Sequence, residues 1–305
     1  MQRVGFIGLG AMGLGMCENL IAAGFHVCGY DVDAASVEAL VNAGGQAAPS
    51  PEATAKDATV LAICVFNEEQ VERILCDSPV LSMLPGGSTI IMHTTMAPDA
   101  TAQFAADAVR RGFHYLDAPI TGGKKGADEG TLTSIVSGSD EAFAKAHPIL
   151  NAMSAHIVRI GDQAGAASTV KMINQLLAGV HLAATAEALS LAAKAGADPN
   201  AVYEVITRGA GNSNMFESRA VDMIRGDFPV NGVLGIFAKD LAIVAQTAQA
   251  LDFPIPVAQS AMAQFAAAIE AGHGTDADST VVGVYERAAN VNVAEQASRF
   301  TKRET

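Results

Sequence analysis

Basic side chains are scarce in this chain. Its 305 residues include 19 Lys plus Arg against 32 Asp plus Glu, a formal net charge of −13. There is no Lys/Arg-rich run, so the electrostatic footprint of a nucleic-acid or anionic-membrane binder is missing. Charged residues make up only 17% and hydrophobic ones 50%, which excludes disorder or coiled coil for the whole. No window holds 18 consecutive apolar residues. The nearest approach, 172–186, is interrupted by Asn174, Gln175, His181 and Thr185 and makes a poor bilayer span. The opening MQRVGFIGLGAMG lacks the apolar stretch and cleavage site of a secretory signal. The cysteines are Cys17, Cys28, Cys64 and Cys76, at spacings that match neither C-x-x-C nor a zinc site. They read as small buried hydrophobes in a reducing cytoplasm, with no metal expected.

Two domains are expected from length, at roughly 150 residues each. Residues 1–162 alternate β-rich runs with helical ones. Runs at 4–7, 26–30, 59–63 and 88–92 read as buried parallel strands, and later ones are expected at 114–116, 132–137 and 156–160. Helical segments at 12–23, 34–43 and 99–111 lie between them. This alternation predicts a doubly wound α/β domain with a parallel sheet. After Gly161 the pattern changes. Residues 164–195 are rich in alanine and poor in glycine, enough for a helix of roughly 45 Å. Further helical stretches near 199–208, 214–225, 237–251 and 256–271 predict an all-α domain over 163–287. Residues 288–305 read as a polar tail, a surface helix or frayed end.

Gly8-Leu9-Gly10-Ala11-Met12-Gly13 fits G-x-G-x-x-G. It follows a strand and opens a helix, the context in which that pattern binds a dinucleotide. The first glycine makes the turn, the second admits the pyrophosphate, and the third lets helix pack on strand, with the phosphates at the helix N-terminus. Asp31, at the end of the second strand, is placed to accept from ribose hydroxyls and to repel a 2′-phosphate, which favours NAD over NADP. Val65, Phe66 and Asn67, and Thr94 and Thr95, follow strands at their carboxyl ends, where such sheets bind ligands. The two threonines also read as a helix cap ahead of Pro98. The first 162 residues carry 9 basic and 18 acidic side chains, net −9, and the rest 10 and 14, net −4. The more acidic half is thus the one expected to hold an anion, through backbone dipoles rather than net charge.

Asp117-Ala118-Pro119-Ile120-Thr121-Gly122-Gly123 comes at another strand end. A hydroxyl followed by two glycines presents successive N–H groups to a carboxylate, or simply turns the chain. Lys171 lies in the apolar helical run, with Asn174 and Gln175 at i+3 and i+4 on one face. A lysine there either lines a cleft, where desolvation lowers its pKa toward proton-transfer use, or snorkels to the surface. Asn212 and Ser213 fall in a small polar cluster with Gly211 and Asn214 between helices. Lys239-Asp240 opens another alanine-rich helix. Each of these reads as a site, a cap or a surface pair.

GFIGLGAMG, DAPITGG, the Gly165–Gln175 stretch with its K-x-x-N-Q, and FAKDL occur in this order, and together they resemble the β-hydroxyacid dehydrogenases over residues 1 to about 287. The resemblance implies a Rossmann-type domain, then an all-α domain like that of 6-phosphogluconate dehydrogenase, built on a long interdomain helix, with the active site in the cleft between. It implies Lys171 as general acid/base with Asn174 and Gln175 beside it. Thr121, Gly122 and Gly123 would hold the substrate carboxylate, with Thr121 where the family usually has serine, and Asn212 and Ser213 would add contacts. Gly8 to Gly13, Asp31, Val65, Phe66, Thr95 and Lys239 would hold NAD. NQLLAGVH and AGNSNMFESR resemble a branch acting on a four-carbon sugar acid such as L-threonate, although Asn214 stands where that branch usually shows tryptophan. A semialdehyde reductase, a 3-hydroxyisobutyrate dehydrogenase and a non-catalytic cofactor module are the alternatives. The expected partners are a small hydroxy acid and further copies of the same chain, as a dimer or tetramer.

Overall fold

The computed structural model describes residues 3–301. Residue contacts divide it into two compact units, one ending at Met172 and the other starting at Ile173. The division falls inside one long helix, Ala166–Lys194.

Among the described residues the first unit has nine strands: β1 (Arg3–Ile7), β2 (His26–Tyr30), β3 (Gln46–Ala47), β4 (Val60–Ile63), β5 (Thr89–Met92), β6 (His114–Asp117), β7 (Ile120–Thr121), β8 (Leu132–Ser137) and β9 (Ser154–Gly161). Its helices are α1 (Gly13–Ala22), α2 (Ala34–Asn42), α3 (Pro51–Ala55), α4 (Glu68–Leu75), α5 (Val80–Met83), α6 (Pro98–Arg110), α7 (Gly123–Asp128) and α8 (Asp140–Met153). The strands lie in the order β3-β2-β1-β4-β5-β6-β8-β7, with β9 beside β8. The sheet is mostly parallel. Pairing among β1, β2, β4, β5 and β6 is parallel as the sequence predicts. The two-residue strands β3 and β7 are not expected from it, and β8 is antiparallel to both β6 and β7. Ten residues separate Thr121 from Leu132, fewer than the dozen or so that a parallel crossover takes.

Successive strand residues feed two cores. Val60 and Ala62 face one with Phe6, Met16, Leu20 and Ile149, while Leu61 and Ile63 face the other with Val71, Ile74 and Leu81. The strands are therefore buried on both faces, as their unbroken apolar runs require. Strand order reverses between β1 and β4, so their carboxyl ends bound the crevice where such sheets take ligands. Burial pushes the thiols of Cys17 and Cys28 up and that of Cys64 to about 12, which suits inert hydrophobes. Cys76 departs from that expectation, being exposed. It follows the last residue of α4, off the stripe of Val71, Ile74 and Leu75 that the helix buries.

The helix α9 (Ala166–Lys194) is followed by α10 (Pro199–Ile206), α11 (Asn214–Arg225), α12 (Leu234–Ala250), α13 (Pro256–Glu270), α14 (Val282–Ala289) and α15 (Val293–Thr301). Among the described residues the second unit has no strand beyond an isolated bridge, Val233 to Ala277. Inside it Phe237 stacks on Phe265, with ring centroids 5.4 Å apart. Arg219 grips buried Asp278 with two bonds of 2.7 and 3.0 Å. The expected polar tail includes α15, which packs on α10 and α11 and buries Val293 and Ala297; residues 302–305 lie outside the described residues. By length and composition α9 is apolar enough to cross a bilayer. It carries buried Ser168, Lys171, Gln175, Thr185 and Ser190, the pattern of a helix that packs inside a protein.

His93 sits at the end of β5, 2% exposed. Its Nδ1 lies 2.7 Å from Ala118 O. A carbonyl only accepts, so Nδ1 carries the proton, and Nε2 is left buried without a partner. Burial lowers its pKa from 6.5 to about 4, against the bond to Ala118. The folded protein therefore binds this proton less readily than the unfolded chain. The corresponding stability is fully present above about pH 6.5 and is lost as pH falls through 6.5 toward 4. Asp117, Asp222 and Asp278 have raised values and act in the opposite direction. A comparison with His93→Asn, which keeps a donor and cannot titrate, isolates the histidine. Urea unfolding at pH 7 and 4.5 should show wild type losing about 2–3 kcal/mol more than the variant; equal losses would exclude this role.

Candidate active site

The glycine turn joins β1 to α1. Gly8 N donates to Tyr30 O at 2.9 Å. A Cβ on Gly8 would lie 2.2 Å from Cys64 O, and one on Gly13 1.9 Å from Gly8 O. Contacts within the protein thus explain the first and third glycines. Gly10 differs, because a Cβ there would meet nothing within 4 Å. With Ala11 it lies on the exposed side of the turn, and no side chain caps the start of α1. Helix N–H groups behind a turn whose exposed side offers only Gly10 and the Ala11 methyl fit a pyrophosphate. Asp31 is brought to the same place. Its Oδ2 accepts from Leu9 N at 2.6 Å and its Oδ1 from Asp33 N at 2.9 Å, so this carboxylate ties the end of β2 to the turn. The neighbouring Val32 is fully out in solvent at 89% exposed.

On the other side of the strand-order reversal, Val65 N donates to Thr94 Oγ1 at 3.0 Å. That bond links the segments following β4 and β5. The helix-cap reading of Thr94 and Thr95 is not what the structure shows: Ala97 precedes α6 and no side chain caps it. Phe66 is 46% exposed, with its N–H on Gln70 Oε1, and Asn67 caps α4.

Thr121 ends β7, and Gly122 and Gly123 follow with φ of 131° and 65°, conformations that favour glycine. Lys124 and Lys125 are taken up in exposed pairs with Asp128 and Glu129. Asp117 was not singled out by sequence reasoning, yet it does the most. It is fully buried. Its carboxylate accepts from Gly165 N (2.8 Å), Ser168 N (3.0 Å), Ser168 Oγ (2.8 Å) and Ser137 Oγ (3.1 Å). Ser137 Oγ in turn accepts from Ala167 N at 3.0 Å. The first turn of α9 is thereby capped from the end of β6 instead of by a preceding side chain. Burial raises the Asp117 pKa above the usual carboxylate range, and the bonds from Ser168, Gly165 and Ser137 oppose it. The available signal was an acid inside an otherwise apolar strand.

Lys171 stands one turn further along α9 at 7% exposed, which excludes snorkelling to solvent, and Gln175 is 8% exposed. In the helical unit a chain of bonds can be followed without ambiguity. Asp240, 2% exposed, only accepts, so Gln175 Nε2 donates to its Oδ2 at 2.5 Å. Gln175 Oε1 then accepts from Asn174 Nδ2 at 3.0 Å, which leaves Asn174 Oδ1 as the acceptor end. Lys239 Nζ donates to Asp240 Oδ1 at 2.6 Å. Ser213 caps α11 through Phe216 N. The Asn212 amide donates to Thr207 O at 3.2 Å, closing the turn between α10 and α11, with its Oδ1 buried and unpartnered.

Two family models cover nearly all of this. The NAD binding domain of 6-phosphogluconate dehydrogenase matches residues 3–161, and the NAD-binding domain of NADP-dependent 3-hydroxyisobutyrate dehydrogenase matches 165–285. This chain belongs to the β-hydroxyacid dehydrogenase family. L-threonate dehydrogenase of Escherichia coli K12 is 39% identical over 285 residues, 93% of this chain and 94% of that one. The 3-hydroxyisobutyrate dehydrogenase of Pseudomonas aeruginosa is 34% identical over 84% of this chain and 89% of its own length. A crystal structure of a Salmonella typhimurium 3-hydroxyisobutyrate dehydrogenase superposes with a TM-score of 0.88 at 40% identity, covering 93% of this chain and all of that one. The chain is therefore an NAD(P)-dependent hydroxyacid dehydrogenase.

Replacing Asp117 with alanine would strand three donors in the interior, Gly165 N, Ser168 N and Ser137 Oγ, each costing about 1–3 kcal/mol, while Ser168 Oγ keeps Thr101 Oγ1 at 3.1 Å. Urea unfolding of Asp117→Ala should show a loss of about 3–5 kcal/mol. A loss below about 1 kcal/mol would remove the network from its central place.

Proposed function

We propose that the substrate is a small hydroxy acid of the four-carbon sugar-acid class, such as L-threonate, and that Lys171 is the general acid/base. The burial of Lys171, on the helix face it shares with Asn174 and Gln175, is the observation that carries this reading. The identity to L-threonate dehydrogenases supports the substrate class. The substrate carboxylate docks on Thr121, Gly122 and Gly123. Lys171, neutral in the reactive state, takes the hydroxyl proton on Nζ. Asn174 Oδ1 orients that hydroxyl, and Asp240 keeps the Gln175 amide turned so that Asn174 keeps its acceptor outward. Gly8, Leu9, Gly10, Ala11, Met12, Gly13, Asp31, Val65, Phe66, Thr95 and Lys239 would hold the nicotinamide cofactor, which when bound accepts the hydride. The Asp31 carboxylate and the apolar Val32 beside it favour NAD, since neither receives a 2′-phosphate. Asn212 and Ser213 would add contacts to the substrate, and Asn214 would leave more room than a tryptophan. The enzyme works in the cytoplasm.

A screen of L-threonate, D-glycerate and 3-hydroxyisobutyrate, each with NAD⁺ and NADP⁺, tests this at 340 nm. The highest kcat/KM is expected with L-threonate and NAD⁺, and Lys171→Ala should cut kcat by about 10² or more with NAD binding intact. Near-normal turnover in that variant would remove Lys171 from the chemistry, and tighter binding of NADP⁺ would overturn the role of Asp31. Self-association belongs to the same reading. Ile173, Leu177 and Leu191 leave α9 with apolar side chains 51, 49 and 67% exposed, a surface that a second copy could cover. Light scattering should give the mass of a dimer or tetramer, and a single-chain mass would refute it.

A further inference from the structure

Helix α7 opens at the Thr121-Gly122-Gly123 turn but has only six residues. A helix this short cannot hold its own orientation, because its last four carbonyls have no partner within it. Those carbonyls can be accounted for. Lys125 O accepts from Glu129 N at 3.0 Å and Gly126 O from Thr131 N at 2.9 Å. Ala127 O is reached instead by a side chain from α1: Asn19 Nδ2 donates to it at 2.7 Å and lies 3.5 Å from Asp128 O. The same nitrogen donates to Gly15 O at 2.7 Å. Both amide hydrogens are thus engaged, one on each helix.

The packing leaves no slack around this bond. A Cβ on Gly15 would come within 2.8 Å of Ala127 C and Asp128 N, so the two backbones touch. A Cβ on Gly130 would lie 2.8 Å from Asn19 Oδ1. On the far side, Gly122 and Gly126 rest against Leu132. The exposed pairs Lys124–Asp128 and Lys125–Glu129 hold little, as surface ion pairs do. Asn19 is therefore the polar group that joins α1, which opens at the glycine turn, to α7, which opens at the carboxylate loop.

We propose that Asn19 is a positioning residue that fixes the Thr121-Gly122-Gly123 loop against the glycine turn, and so sets where the substrate carboxylate lies relative to the dinucleotide. This rests on the role given to that loop above. Asn19→Asp is the decisive variant, being of the same shape without the donor. It should raise KM for the hydroxy acid at least tenfold and lower kcat, while the Kd for NADH by fluorescence stays within twofold. Amide hydrogen exchange should quicken over 121–130 and stay unchanged over 8–16. KM and exchange both within twofold of wild type would overturn the proposal. So would NADH binding lost in step with KM and faster exchange throughout the first unit, which marks a general loss of fold. Should wild type oxidise none of the hydroxy acids, the reading of function fails separately. The exchange map of Asn19→Asp then decides alone: quickening confined to 121–130 supports the clamp, and none, or a spread beyond it, refutes it.

Discussion

A buried carboxylate holding the first turn of a helix is the constraint on which the rest of the first unit depends. Asp117 accepts four hydrogen bonds, three from residues at the start of α9 and one from Ser137 on β8. Burying the charge is unfavourable, and its raised pKa shows that the bonds do not fully offset the lost hydration. What the arrangement supplies is direction. Helix N–H groups attract an anion and need acceptors, so α9 must begin where Asp117 stands. Six residues beyond Gly165 the helix carries Lys171. A strand end and a lysine far apart in sequence are thus tied to one frame.

The same economy governs anion binding in an acidic protein. The first 162 residues carry net −9, and no basic side chain caps α1. Positive potential comes from backbone N–H groups at helix starts, exposed by glycines where a Cβ would intrude. Gly10 is the clearest case, since nothing in the chain itself requires a glycine there. Aspartates are used for structure near these turns: Asp31 fastens the glycine turn to β2, and Asp117 fastens the strand leading to Thr121. The acidity that argues against nucleic acid is no obstacle to a dinucleotide held in this way.

Some side chains turn out to serve the fold where the sequence left their purpose open. Ser213 is a helix cap, and Asn212 closes the turn before it. Thr94, read as a cap, instead receives the Val65 N–H and ties together the segments that follow β4 and β5. Strand β8 runs antiparallel to β7 because their connection is too short for a crossover, and this pairing sets Thr121 beside Thr133. Cys76 lies exposed because it falls just past the buried stripe of α4.

The sequence by itself determined the element pattern and the chemistry at strand ends. Strand periodicity, the glycine turn opening α1, and the change to alanine-rich helix after Gly161 depend on local propensity and on burial repeating at fixed spacing, which neighbouring residues carry. Lys171, Asn174 and Gln175 were legible for the same reason, being one turn apart on one helix. Only the tertiary structure decided which groups hold them. Asp117 meets Ser168 across 51 residues, Gln175 meets Asp240 across 65, and Asn19 meets Ala127 across 108. Hydrogen bonds between such distant residues depend on how strands and helices are ordered and packed, and no local repeat in the chain records that.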